Sequence, residues 1–195
     1  MKVNILWDFD GTLVDSYRVF VRTFKRVVEE HIHEDEVIKQ LKISFTHAVK
    51  YFGLSQQQID QILEMERSLH PSEYQPFPRV EEVLQRANCN CIVTHNSKQE
   101  VLRILEYYGW LHYFSEIIGW EDGFPKKPNP EAYIHMQKKQ AIHFVVGDRA
   151  LDIIPATKLG ITTCAFQNEA IPEADYYIDS YDQLLHIMKE KSLQI

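Results

Sequence analysis

The chain has 195 residues, 45% of them hydrophobic and 25% charged, with a formal net charge of −7. That length and balance fit a globular protein with one large domain, or a core domain carrying an insert. The acidic charge and the lack of a basic stripe argue against nucleic acid as a partner, and no apolar run reaches membrane-spanning length, so no membrane partner is expected.

Val3-Asn4-Ile5-Leu6-Trp7 reads as a buried strand that runs directly into Asp8-Phe9-Asp10-Gly11-Thr12. Strand residues alternate faces, so Asp8 and Asp10 point the same way. In open α/β sheets ligands bind just past the carboxyl ends of the strands. Two carboxylates at about 4 Å repel by about 4 kcal/mol at an effective dielectric near 20. A fold keeps such a pair where a cation neutralises it or where one acid holds a proton; the plainer alternative is a pair of surface acids after an edge strand. The same two acids interrupt the only early apolar stretch, so no signal peptide is expected.

Phe20, Phe24 and Val28 form an i, i+4 row, with Arg18, Arg22, Lys25, Arg26, Glu29 and Glu30 on the other faces, which predicts a helix. Helical patterns follow over 34–41, 45–52 and 56–69, with Gly53 as a stop and Ser55 as an N-cap. No strand pattern appears between 15 and 70, and the proline-rich segment 70–78 reads as a rigid connector. Beyond it, apolar runs at 89–93, 116–119, 143–147 and 162–166 alternate with helical patterns at 80–87, 98–108 and 130–138 and a short helix ending near Gly160. This predicts an α/β fold with a doubly wound parallel sheet. The expected core is 1–14 with 79–195, and the expected insert is an all-helical unit over 15–78 that can act as a lid. Cys89, Cys91 and Cys164 show no paired metal spacing and read as core thiols in a reducing, cytoplasmic setting.

Three later segments carry chemistry. In Ile92-Val93-Thr94-His95-Asn96-Ser97, Thr94 ends a strand where its hydroxyl can donate to phosphate. Ser97-Lys98-Gln99-Glu100 reads as a capping box opening a helix whose amides suit an anion. In Lys126-Lys127-Pro128-Asn129-Pro130, prolines hold a lysine beside a helix start capped by Asn129; that lysine can neutralise an aspartate or bind phosphate, or simply be solvated. In Val145-Val146-Gly147-Asp148-Arg149-Ala150-Leu151-Asp152 a second buried strand ends in an acid, and Asp152 returns to the same side on a helix's first turn. Asp152 can serve a divalent oxygen-ligand site or merely favour the helix dipole.

In order and spacing these segments resemble the four motifs of the haloacid dehalogenase-like hydrolase superfamily, and the insert resembles the helical cap of its phosphoglycolate phosphatase-like branch. The resemblance spans nearly the whole chain. It implies that Asp8 is a nucleophile forming an aspartyl-phosphate. It makes Asp10 the acid and then the base, with its backbone carbonyl on Mg²⁺. Thr94 and Lys127 would hold the phosphoryl group, Lys127 also steadying Asp8. Asp8, Asp10 and Asp148 would hold the Mg²⁺, with Asp152 supporting Asp148. Such an arrangement suits the loose, anionic transition state of phosphoryl transfer.

Three positions depart from the family pattern. His95 stands where Asn or Ser is common, either touching substrate or contributing only backbone. Arg79 stands where many relatives have glycine and is expected to face solvent. Pro155 falls in a helix where small residues are usual and is expected to shorten or tighten it. Among Arg18, Lys42, Ser44, Thr46 and His47, Lys42 is the first candidate for a substrate contact, because it lies where relatives carry a specificity loop.

The expected activity is Mg²⁺-dependent hydrolysis of a small phosphorylated metabolite. Asp10 separates it from the superfamily's dehalogenases and phosphonate hydrolases, which lack that acid. Sugar-phosphate mutases are the enzymatic alternative; they typically carry a histidine near the place of Phe20. A non-enzymatic phospho-acceptor or binding protein is the alternative of another class. Receivers of that kind are shorter and uncapped, and the joint presence of Asp8, Asp10, Thr94, Lys127 and Asp148 disfavours a protein that has lost turnover.

Overall fold

The computed structural model describes residues 3–28 and 32–193. The expected charged positions Glu29 and Glu30 lie outside them. Strand β1, Asn4–Trp7, is buried along its whole length, which is why it is apolar on both faces rather than alternating. The indole Nε1 of Trp7, deep in the core, donates to Asn90 Oδ1 at 2.9 Å, so its one polar atom is satisfied. A turn follows in which Thr12 and Leu13 N–H donate to Phe9 O, and Gly11 takes φ +70°, a backbone angle that other residues reach only with strain. Two short strands, β2 (Val14–Asp15) and β3 (Gln75–Pro76), form a separate two-stranded sheet.

The chain divides into two compact units, 1–14 with 76–195 and 15–75. The second is helical: α1 (Tyr17–Val27), α2 (Glu34–Ile43), α3 (Phe45–Tyr51) and α4 (Gln56–Ser68). Its interior gathers Tyr17, Val21, Phe24, Val37, Leu41, Ala48 and Ile62. The Phe24 ring meets Phe45 and Phe52 edge-on, 5.9 and 6.1 Å between centroids. Ser55 and Gln58 close a reciprocal capping box at the start of α4. Lys42 lies with Nζ 5.6 Å over the Tyr17 ring, within this unit.

The first unit continues with α5 (Val80–Arg86), β4 (Cys89–Val93), α6 (Lys98–Tyr107), β5 (Phe114–Ile118), α7 (Glu131–Lys139), β6 (Phe144–Gly147), α8 (Ala150–Lys158), β7 (Thr162–Phe166), β8 (Tyr176–Ile178) and α9 (Tyr181–Leu193). Six strands form one sheet in the order β5-β4-β1-β6-β7-β8, and every pairing is parallel. The order reverses at β1, with β4 on one side and β6 on the other, and such a reversal opens a crevice beyond the strand ends. Each fully buried Ile, Leu or Val of these strands contributes about 1.5–3 kcal/mol.

β8 and α9 complete the unit but were not anticipated. α8 passes through the buried Pro155 and ends at Lys158, close to the expected stop at Gly160. At the start of α6, Lys98 N–H donates to both carboxylate oxygens of Glu121 (2.8 and 3.1 Å) and Glu100 N–H donates to Ser97 Oγ, so these two amides already have protein acceptors. Gly119 permits that turn, because an added Cβ would lie 2.6 Å from Lys98 N. Arg79 has φ +64° and pairs with Glu82 and Asp182 at the half-exposed surface.

Candidate active site

Three neighbouring strands end in polar side chains. Asp8 follows β1, and its N–H continues the ladder to Val146 O at 2.9 Å. Thr94 follows β4, its N–H bonded to Ile118 O at 3.0 Å. Asp148 follows β6. All three are buried. Gly147 is required at the end of β6, since a Cβ there would run into the Asp152 side chain. Asp152 stands in the first turn of α8, where its Oδ2 accepts from Arg149 N–H at 3.1 Å.

The carboxylates of Asp8, Asp148 and Asp152 each place an oxygen within 4.8 Å of the others. Lys127 enters this cluster from the loop before α7. Its Nζ donates to Asp8 Oδ1 at 2.7 Å and Val93 O at 2.8 Å and forms an ion pair with Asp152 Oδ1 at 2.5 Å. Arg149 enters as well. Its Nη2 donates to Asp8 Oδ2 at 3.2 Å, and its Nε lies 3.6 Å from Asp152 Oδ2 and 3.8 Å from Asp148 Oδ1.

The electrostatics follow from this packing. Burial raises the Asp8 pKa, but Lys127 and Arg149 outweigh it and hold the group below its ordinary value. Asp152 is raised, by burial first and then by the charge of Asp8. Burial works against the Lys127 ammonium, yet Asp152 and Asp8 keep its pKa above the ordinary one. Asp8 is thus an ionised carboxylate facing a charged lysine. The His95 ring is held neutral, its pKa pushed down to about 3 by burial and then by Lys127 and Arg149; its Nε2 makes no hydrogen bond among the described residues.

Asp10 sits at the edge of the group. Its carboxylate accepts from Asn96 Nδ2 at 3.0 Å through Oδ2. The Thr94 hydroxyl oxygen accepts from Asn96 N–H at 3.0 Å, which leaves its proton to donate. The structure therefore gathers Asp8, Asp148, Asp152, Lys127 and Thr94 at the strand ends, with the Asp10 carboxylate turned to Asn96. Lys42 belongs to the helical unit. Arg149 and Asn96 were not among the residues singled out from sequence. A cation standing between two acids, Asp148 and Asp152, is the signal that points to Arg149.

Three buried carboxylates with oxygens this close, facing two cationic side chains, are a hard-donor set that suits a divalent cation. Over residues 5–166 the chain matches the family described as haloacid dehalogenase-like hydrolase. It is 27% identical to the phosphoglycolate phosphatase of Vibrio vulnificus, with 94% of this chain and 95% of that one aligned. It is 28% identical to the pyrophosphatase PpaX of Oceanobacillus iheyensis over 83% of this chain and 82% of that one. Among solved structures, a hydrolase from Streptococcus pneumoniae TIGR4 superposes with a TM-score of 0.67 at 25% identity, covering 96% of this chain and 98% of the other.

Proposed function

The chain belongs to the haloacid dehalogenase-like hydrolases, and on that footing we propose that it is a Mg²⁺-dependent phosphatase acting on a small phosphomonoester through an aspartyl-phosphate on Asp8. The observation that carries the reading is the Asp8 carboxylate itself. It is buried at a strand end, kept ionised by Lys127 and Arg149, and grouped with Asp148 and Asp152.

In the first step an oxygen of Asp8 attacks phosphorus and the bond from phosphorus to the ester oxygen breaks. Asp10 gives its proton to the departing alkoxide, and the alcohol leaves. In the second step Asp10 takes a proton from water as that water attacks phosphorus. The bond from Asp8 to phosphorus breaks, inorganic phosphate leaves, and both acids return to their starting states. Lys127 balances the charge on Asp8 and the phosphoryl oxygens, and the Thr94 hydroxyl donates to one of them. Asp8, Asp148 and the Asp10 backbone carbonyl would hold the Mg²⁺, with Asp152 beside them supporting Asp148, and the ion would supply charge neutralisation for the phosphoryl group.

Residues 15–78 are proposed to serve as the cap domain that selects the substrate, with Lys42 the first candidate contact and His95 a second from the core. The names of the relatives point to phosphoglycolate and pyrophosphate as first compounds to try. Phosphate release is measured from p-nitrophenyl phosphate and a panel of phosphorylated metabolites, with Mg²⁺ and with EDTA. Mg²⁺-dependent release supports the reading; release from none of them, or release indifferent to EDTA, contradicts it.

A further inference from the structure

Lys127 and Arg149 are both cations inside the acid cluster, but they are held differently. The Lys127 ammonium lies within 2.8 Å of Asp8, Val93 O and Asp152, two of these contacts being hydrogen bonds and one an ion pair, and its side chain is 1% exposed. The Arg149 guanidinium donates to Asp8 at 3.2 Å and lies 3.6 and 3.8 Å from Asp152 and Asp148, each longer than the Lys127 contacts to the cluster, and its side chain is 11% exposed. Its backbone is pinned by the N–H bond to Asp152 Oδ2, while several rotatable bonds separate that anchor from the charge. Toward these three carboxylates the guanidinium is therefore held at longer range than the ammonium, on a side chain that reaches solvent.

The three carboxylates that Arg149 approaches are the same three whose oxygens lie within 4.8 Å of one another. A divalent ion drawing ligands from that set would meet a positive group on the same oxygens. Two like charges do not share those ligands in a buried site, and Lys127 is the one locked in place.

Resting on the metal site proposed above, we propose that Arg149 is an exchangeable counter-cation. It neutralises Asp8, Asp148 and Asp152 in the metal-free protein and withdraws from them when a divalent cation binds. The role is conformational selection in miniature: the apparent metal affinity equals the intrinsic affinity reduced by the fraction of molecules in which the guanidinium is already out. It also keeps a folded, metal-free site from carrying its full negative charge.

The test is calorimetric titration of Mg²⁺ into the metal-free full chain, wild type against Arg149→Gln, with melting curves for each. Arg149→Gln should bind Mg²⁺ about tenfold more tightly. Its metal-free form should melt lower than wild type, and its Mg²⁺-induced rise should be larger. Equal or weaker Mg²⁺ binding in Arg149→Gln overturns the proposal, because the arginine would then support the metal or ignore it. Should that variant not fold, the wild type alone decides. The Arg149 Nε–H resonance, assigned by its loss in Arg149→Lys, should move and exchange faster with water on Mg²⁺ addition; an unmoved resonance at saturating Mg²⁺ overturns the proposal. If the wild type binds no Mg²⁺ at all, the metal reading of the site falls first. If it binds Mg²⁺ and Arg149→Gln binds no tighter, only the exchange role falls.

Discussion

Lys127 Nζ lies 2.7 Å from Asp8 Oδ1, with both side chains shut off from solvent and separated by 119 positions in sequence. The contact ties the loop before α7 to the end of β1. It also helps to set the state of both groups: Lys127 with Arg149 holds Asp8 ionised against burial, and Asp152 with Asp8 holds Lys127 protonated.

Breaking this pair from one side leaves buried carboxylates without their counter-charge. Lys127→Met should cost about 3–5 kcal/mol in the metal-free protein. For a chain of this length that is a fall in melting temperature of about 6–20 °C. The folded-state pKa of Lys127 lies above its ordinary 10.5. Its stabilisation is therefore complete below pH 10.5 and fades as pH rises through the folded value. Asp8 is shifted the other way, below 3.8, so its share is present above that pH and fades as pH falls beneath it. The melting gap between wild type and Lys127→Met should be full at neutral pH and narrow above about pH 10.5. A gap of under 1 kcal/mol at pH 7 would mean that the pair contributes nothing net.

Asp10→Asn should slow both formation and breakdown of the phospho-enzyme, since one group serves both steps. The loss should be smaller for p-nitrophenyl phosphate, whose leaving group needs no proton, than for an alkyl phosphate. Pre-steady-state phosphate release for the two substrates measures this. Equal losses for both would count against Asp10 as the proton donor.

Asp148 carries the metal argument. At a hundredfold excess over Kd, Mg²⁺ should stabilise the wild type by about 2.7 kcal/mol, or about 5–10 °C in a melt. Asp148→Asn should lose most of that rise, and its metal-free form should melt no lower than wild type because a repelling charge has gone. Melts with EDTA and with Mg²⁺ decide it; an undiminished rise in Asp148→Asn removes Asp148 from the metal site.

The cysteines give a test of the packing alone. Burial pushes the Cys91 and Cys164 thiols up to about 12, while Cys89 is partly exposed beside Ser115 and Gln140. A disulfide reagent at about pH 8 attacks the thiolate, so the native protein should show one accessible thiol and the denatured protein three. Three rapid thiols in the native state would contradict the buried placement of β4 and β7.

The parallel sheet was legible because β1, β4, β6 and β7 are buried on both faces and so read as apolar runs. The strand-end acids were legible for the same reason: Asp8 and Asp148 interrupt those runs abruptly. β8 was not, because Tyr176-Tyr177-Ile178 is a three-residue edge strand with one exposed tyrosine, too short to show a period. α9 did carry a signal, with Tyr181, Leu184, Leu185 and Met188 at helical spacing and buried. Arg149 and Asn96 escaped because their roles come from contacts across the sheet, to Asp8 141 positions away and to Asp10 86 positions away. The amides at the start of α6 looked open to an anion because Glu121, which takes one of them, arrives from a turn 23 residues on.

The claim that most needs testing is that Asp8 becomes phosphorylated. The enzyme is quenched in acid during turnover of p-nitrophenyl phosphate with Mg²⁺, then treated with borohydride, which reduces an acyl phosphate but not a free carboxylate. Peptide mass spectrometry should find homoserine in place of aspartate at position 8 and nowhere else. Asp8→Asn, treated in parallel, should show none and should turn over at less than about 1% of the wild-type rate. An active wild type that yields no homoserine, or yields it at another aspartate, would contradict Asp8 as the nucleophile.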